Sequence, residues 1–117
     1  MSGAVSYHAG LSAEDQVARD YERRGMPVTA HRWRGKGGEI DLIARDGDGY
    51  VFVEVKKSRD HARAAERLSA RQITRLFDAA SEFLGHCKSG LDTLARFDVA
   101  LIDAQGRIEI VENALSA

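Results

Sequence analysis

Three residues in one short stretch have the types and spacing for phosphodiester chemistry: Asp41, Glu54 and Lys56. Two carboxylates brought together without a cation repel, and partial burial raises that cost. A hard divalent ion relieves the repulsion, and Mg²⁺ is satisfied by a few carboxylate oxygens, with water or phosphate oxygens in its remaining positions. An ion so held polarises a phosphodiester and lowers the pKa of a bound water. Lys56 follows Glu54 by two residues and so lies on the same face of an extended segment. Its ammonium can orient the attacking water or stabilise charge developing on phosphate. Asp41, Glu54 and Lys56 are therefore read as a catalytic set, with Asp41 and Glu54 as ligands for Mg²⁺ or Mn²⁺.

The elements that must position them are legible in the pattern. Ser12 to Arg24 reads as a helix, with Ser12 as N-cap, Asp15 at the capping-box position and Gly25-Met26-Pro27 beyond its end. Leu11, Val17, Ala18 and Tyr21 form its apolar side. Val28 to Arg34 reads as a strand and Gly35-Lys36-Gly37-Gly38 as a turn. Glu39–Ala44 and Tyr50–Lys56 read as a hairpin joined by a Gly/Asp-rich link of about five residues. Ser69 to Leu84 is a second amphipathic helix, with Ile73, Leu76, Phe77, Ala80, Phe83 and Leu84 on one face and Gly85 as a stop. Arg96–Asp103 and Arg107–Val111 are two further strands. The order α-β-β-β-α-β-β predicts an α/β fold, a mixed β-sheet flanked by helices.

Within the hairpin, alternation puts Val51, Val53 and Val55 on one side and Phe52, Glu54 and Lys56 on the other. On the partner strand Ile40 and Leu42 share a side, and Glu39, Asp41 and Ile43 share the opposite one. Pairing brings Asp41 and Glu54 into metal-bridging range. An antiparallel sheet with one solvated face gives the same alternation. Phe52 and Ile43 beside the charges favour a partly covered surface, and two acids on paired strands make a poor solvated ladder.

A chain of 117 residues is expected to form one domain. No apolar run approaches the length of a bilayer span and no signal-peptide pattern opens the chain, so neither a membrane nor secretion is expected. The single cysteine, Cys87, excludes an internal disulfide and a multi-cysteine zinc site, and a cytoplasmic location follows as the expectation. The net charge of −1 conceals an uneven distribution. Basic residues cluster at Arg19, Arg23, Arg24, His31, Arg32, Arg34 and Lys36, and again at Lys56, Lys57, Arg59, Arg63, Arg67, Arg71 and Arg75. Such runs are either solvated faces or a nucleic-acid footprint.

At Gly38-Glu39-Ile40-Asp41-Leu42-Ile43 and Phe52-Val53-Glu54-Val55-Lys56 the sequence resembles the YraN family of small bacterial proteins. That family looks like a branch of the PD-(D/E)XK nuclease superfamily, close in style to archaeal Holliday-junction resolvases. The resemblance extends through Gly10, Glu14 and Ala18, Ala79-Ala80, Arg96-Phe97-Asp98 and Asn113-Ala114. It implies a restriction-endonuclease-like core spanning residues 1–117 as a single nuclease-like domain. It matches Asp41, Glu54 and Lys56 to the motif's two acids and lysine, with Ile40 in place of the motif's proline. It also implies Glu14 as a further metal-site acid and dimers acting on branched DNA, although no segment here is assignable to a dimer interface.

By residue type alone, Glu14 suits a helix N-terminus. Glu39 shares the Asp41 face and can widen the acidic site. Gln72 completes a capping box with Ser69, while some superfamily branches use a glutamine there at the margin of the site. Trp33 can stack on a base, although a lone strand tryptophan is more commonly core. The histidines lack metal-ligand spacing.

The leading expectation is a Mg²⁺- or Mn²⁺-dependent endonuclease with no small-molecule cofactor, gripping DNA phosphates through Arg32, Arg34, Lys36, Lys57 and Arg59. Such contacts position a duplex without reading its sequence. No sequence-reading module fits in the remaining residues, so structure-selective cutting of junction or branched DNA is expected. The alternative is a non-catalytic or partner-dependent nucleic-acid-binding module retaining the nuclease fold. A third reading, a protein-interaction domain using the face around Phe77 and Phe83, has no specific support.

Overall fold

A computed structural model of the chain describes residues 12–57 and 68–115. Gly10, Leu11, Arg59, Arg63 and Arg67, named above, lie outside the described residues. The elements are helix α1 (Ala13–Arg23), strands β1 (Val28–Arg34), β2 (Glu39–Asp46) and β3 (Gly49–Lys57), helix α2 (Ala70–Gly85), a short 3₁₀ turn (Gly90–Asp92), and strands β4 (Ala95–Ile102) and β5 (Ile108–Leu115). The five strands form one mixed sheet in the order β1-β2-β3-β4-β5, with β3 and β4 parallel and the other neighbours antiparallel. The parallel step requires a crossover, and α2 lies within it. The α-β-β-β-α-β-β order is that expected, and it is consistent with a restriction-endonuclease-like fold.

One helix covers each face. Val17, Ala18 and Tyr21 of α1 are buried with Leu42, Ala44, Val51, Val53 and Ala100. Leu76, Ala79, Ala80 and Leu84 of α2 are buried with Ile40, Ile43 and Phe52. Trp33 belongs to the α2 side, edge-on to Phe83 at 5.6 Å, so it packs against the core and is not a free stacking platform. Among the described residues no helix is long and apolar enough to cross a membrane.

Capping sets the helix starts. Ser12 accepts from the Asp15 N–H at 3.1 Å, and Ser69 with Gln72 forms a reciprocal capping box. Helix α1 stops where Gly25 turns to φ +85°, letting the Met26 N–H reach the Tyr21 carbonyl. Helix α2 ends differently from the expectation. Gly85 is its last helical residue and takes no left-handed conformation; His86 caps it at φ −90°.

The β2–β3 link is also tighter than the expected five residues. Asp46 pairs with Gly49, leaving a two-residue loop, Gly47-Asp48. Gly47 adopts φ +58° and Asp48 does not go positive, the glycine-first signature of a type II′ turn. Strand β5 runs to Leu115, beyond the expected Val111, because Asn113 at φ +51° forms an irregularity that lets pairing resume at Phe97.

The Gly35–Gly38 turn is fixed against α2. A Cβ on Gly38 would stand 2.8 Å from the Arg75 carbonyl oxygen, and one on Gly37 would stand 2.8 Å from the Asp78 Cβ. The Lys36 N–H donates to a Glu82 carboxylate oxygen at 2.7 Å. The start of β2, and so the approach to Asp41, is seated on the helix through this turn.

Candidate active site

Strands β2 and β3 pair regularly from Asp46↔Gly49 to Leu42↔Val53, and there the ladder ends although both strands continue. Asp41 and Glu54 stand at the parting. Asp41 Oδ2 accepts from the Val55 N–H at 2.8 Å, supplying a side-chain acceptor where main-chain pairing has stopped. The same carboxyl is in side-chain hydrogen-bonding contact with Glu54. Ile40 packs with Ile43 on the α2 side, so it does not share Leu42's face as simple alternation predicts. The two isoleucines are three positions apart, an odd step that alternation forbids, and the break falls at Asp41. Opposite it, Arg32 on β1 takes φ +47°, uncommon for a residue with a side chain, and the β1–β2 pairing passes from His31↔Leu42 to Trp33↔Ile40.

Glu54 and Lys56 keep only 19% and 17% of their side-chain surface, so neither is a freely solvated strand residue, and their charged atoms are 3.9 Å apart. Burial, the shared hydrogen bond with Asp41 and the charges of Asp41 and Glu39 push the Glu54 carboxyl up to about 8 from 4.5, against the opposing pull of Lys56. Two acids in such contact are a pair whose repulsion a cation could relieve.

The remaining expected residues take up different places. Glu39 acts electrostatically on Glu54 and pairs with Arg34 at 3.3 Å. Glu14, on the first turn of α1, lines a cleft of about 280 Å³ with Ser12, Asp15, His31, Arg32 and Asp41, and pairs with Arg32 at 3.8 Å. Gln72 is engaged in the capping box, its side-chain oxygen accepting from the Ser69 N–H at 3.0 Å. Lys57 is the exposed last residue of β3. Among the described residues no three His, Cys, Asp or Glu side chains come together as a group that could hold a metal ion, so Glu14 is not gathered with Asp41 and Glu54 into a three-acid site. The carboxylate pair suits an ion that keeps water or phosphate oxygens, the habit of Mg²⁺.

One polar cluster went unread in the sequence. Asp98 is fully buried and meets Tyr21 of α1. Its carboxylate accepts from the Tyr21 O–H at 2.7 Å, from Arg96 Nε at 3.1 Å and from the Asn113 N–H at 2.9 Å. Burial, then the Asp98 carboxylate, drive the Tyr21 phenol far above its ordinary value. Arg96 reaches on to Asp46 at 3.3 Å and Glu112 at 3.9 Å, so the cluster ties α1 and the β2–β3 hairpin to β4 and β5. No local signal marks the cluster, because the tyrosine partner of Asp98 lies 77 residues away.

Residues 13–102 match the uncharacterised protein family UPF0102. A UPF0102 protein of Cereibacter sphaeroides strain KD131 is 62% identical over 117 residues, covering 100% of both chains. One from Ruegeria pomeroyi is 62% identical over 112 residues, covering 96% of this chain and 91% of that one. A more divergent relative from Dinoroseobacter shibae is 47% identical over 111 residues, covering 95% and 83%.

Proposed function

The chain belongs to the uncharacterised protein family UPF0102, and we propose that it is a metal-dependent DNA endonuclease of the PD-(D/E)XK kind, selective for junction or branched DNA. The observation that carries this reading is the contact between Asp41 and Glu54 at the parting of β2 and β3, with the Lys56 ammonium beside it. A solvated sheet face would separate these groups and leave them exposed.

Asp41 and Glu54 would hold Mg²⁺ or Mn²⁺, with Glu14 able to approach through the cleft it shares with Asp41. When bound, the ion polarises the phosphodiester and acidifies a water. Lys56, packed against Glu54, orients that water or stabilises charge growing on the phosphate. The Asp41–Val55 hydrogen bond keeps the first carboxylate from swinging away. Arg32, Arg34 and Lys36 along β1 and the following turn, with Lys57 and Arg59 beyond Lys56, grip the backbone without reading bases. Cutting both strands of a branched DNA needs two such sites, so the proposal includes a homodimer on DNA.

The test is a panel of four-way, flapped and linear DNAs with Mg²⁺ or Mn²⁺. The wild type is expected to cut branched substrates, and Asp41→Ala, Glu54→Ala and Lys56→Ala each to abolish cutting. Binding without cleavage of any substrate would leave a nucleic-acid-binding module that keeps the nuclease fold. A calorimetric Mn²⁺ titration giving equal weak heats for wild type and Glu54→Ala would remove the metal from the site.

A further inference from the structure

From the pairing of its arginines we infer that the outer edge of β1 is a binding rail for a nucleic-acid backbone, kept masked in the free protein by Glu14 and Glu39. The inference rests on the DNA partner proposed above and adds how the grip is held closed until a phosphate arrives. Strand β1 ends the sheet order, so among the described residues no strand covers its far side. Arg32 and Arg34 leave 65% and 77% of their side chains in solvent, yet neither guanidinium is idle. Arg32 meets Glu14 at 3.8 Å, and Arg34 meets Glu39 at 3.3 Å. Exposed pairs at such distances stabilise a fold little. An arginine–phosphate contact, charge-assisted and often bidentate, is the stronger alternative for the same guanidinium.

Arg32 adds a second, independent observation. Its left-handed backbone, at φ +47° within a strand, is a conformation a side-chain-bearing residue keeps only where the surroundings enforce it. It falls where the β1–β2 pairing skips the position facing Asp41, and Arg32 lines one cleft with Asp41, Glu14 and Ser12. A backbone phosphate drawn to Arg32 is therefore delivered beside Asp41. Each glutamate holds its arginine in place and lowers the attraction for polyanions that cannot displace it.

The experiment measures binding of the full chain to a labelled four-way DNA junction in EDTA, which removes any ion and any cleavage. Glu14→Gln and Glu39→Gln are expected to bind severalfold more tightly than wild type. Replacing both Arg32 and Arg34 by Gln should weaken binding and reduce the slope of log K against log salt by about 1.8, two phosphate contacts. Removing any negative charge near DNA helps binding, so the deciding readout is the double-mutant cycle. Glu39→Gln should gain nothing once Arg34 is Gln, nor Glu14→Gln once Arg32 is Gln. Equal gains in both backgrounds, or no gain at all, overturn the mask even where the wild type cuts DNA. Non-additive gains with no cleavage in Mg²⁺ keep the mask and sink the endonuclease reading. Absence of binding at low salt overturns the rail itself.

Discussion

Asp41 Oδ2 lies 2.8 Å from the Val55 backbone nitrogen, so one carboxylate bridges the gap between parting strands while facing Glu54. The residue has two separable duties, an acceptor for a main-chain donor and a negative charge. Asp41→Asn keeps an oxygen for the Val55 N–H and removes the charge, whereas Asp41→Ala removes both. A donor left without a partner in a partly buried place costs about 1–3 kcal/mol. Asp41→Ala is therefore expected to unfold in urea at lower midpoint than Asp41→Asn, by roughly that amount, while both lose Mn²⁺ binding and cleavage. Equal midpoints would show that the Val55 contact adds no stability.

The Tyr21–Asp98–Arg96 cluster touches neither Asp41 nor Glu54, so it should govern stability and leave catalysis per folded molecule alone. Tyr21→Phe leaves Asp98 its Arg96 and Asn113 donors and is expected to cost about 1–3 kcal/mol. Asp98→Ala strands a buried phenol and a guanidinium together and should cost about 3–5 kcal/mol. Urea denaturation of both variants, with cleavage normalised to the folded fraction, checks the ordering. A Tyr21→Phe loss larger than that of Asp98→Ala would contradict it.

Two glycines should answer substitution with opposite signs. A Cβ on Gly38 would crowd the Arg75 carbonyl oxygen at 2.8 Å and the Arg75 Cβ at 3.2 Å. Gly38→Ala must push the turn off α2 and is expected to destabilise by about 1–3 kcal/mol and to lower activity, because β2 begins there. Gly85, at the end of α2, has nothing within 4 Å of an added Cβ and an ordinary helical φ. Gly85→Ala should raise stability by about 0.5–1 kcal/mol with activity unchanged. Thermal melts of the two variants read both signs.

Local signals account for what was legible in the chain. Strand β1 is bracketed by Pro27 and Gly35, and both helices by serine caps, so these bounds follow from neighbouring residues. The approach of Asp41 and Glu54 follows from the hairpin and its Leu42↔Val53 register, which sets the two acids next in line, whereas the break of alternation at Asp41 does not. What escaped depends on the three-dimensional context. Asp46 and Gly49 carry the residue types of a turn, yet they pair and shorten the loop to two residues. The left-handed Arg32 and the inward step of Ile40 have no signature in residue type. The burial of Asp98 is decided by a tyrosine on a distant helix, and an Arg-x-Asp spacing gives no hint of it.

Glu54 makes the stability of the metal-free protein depend on pH in an unusual direction. Its carboxyl sits at about 8 when folded and near 4.5 otherwise, so between these values the folded chain holds a proton that the unfolded chain has released. Stability therefore falls as pH rises through this window, the reverse of a carboxylate held by a cationic partner. Other carboxylates superimpose their own slopes, so the comparison is wild type against Glu54→Gln. In EDTA the wild type should lose stability relative to Glu54→Gln from about pH 4.5 onward and level off above about pH 8. Binding a divalent ion must displace that same proton, so Mn²⁺ affinity is expected to rise with pH up to about 8 and then flatten. Saturating Mn²⁺ should stabilise the wild type most at the alkaline end of the window, where the two bare carboxylates repel, and leave Glu54→Gln nearly unmoved. Melting temperatures across pH, with and without Mn²⁺, read all three effects, and a wild-type curve parallel to that of Glu54→Gln would mean that the two acids do not share a proton.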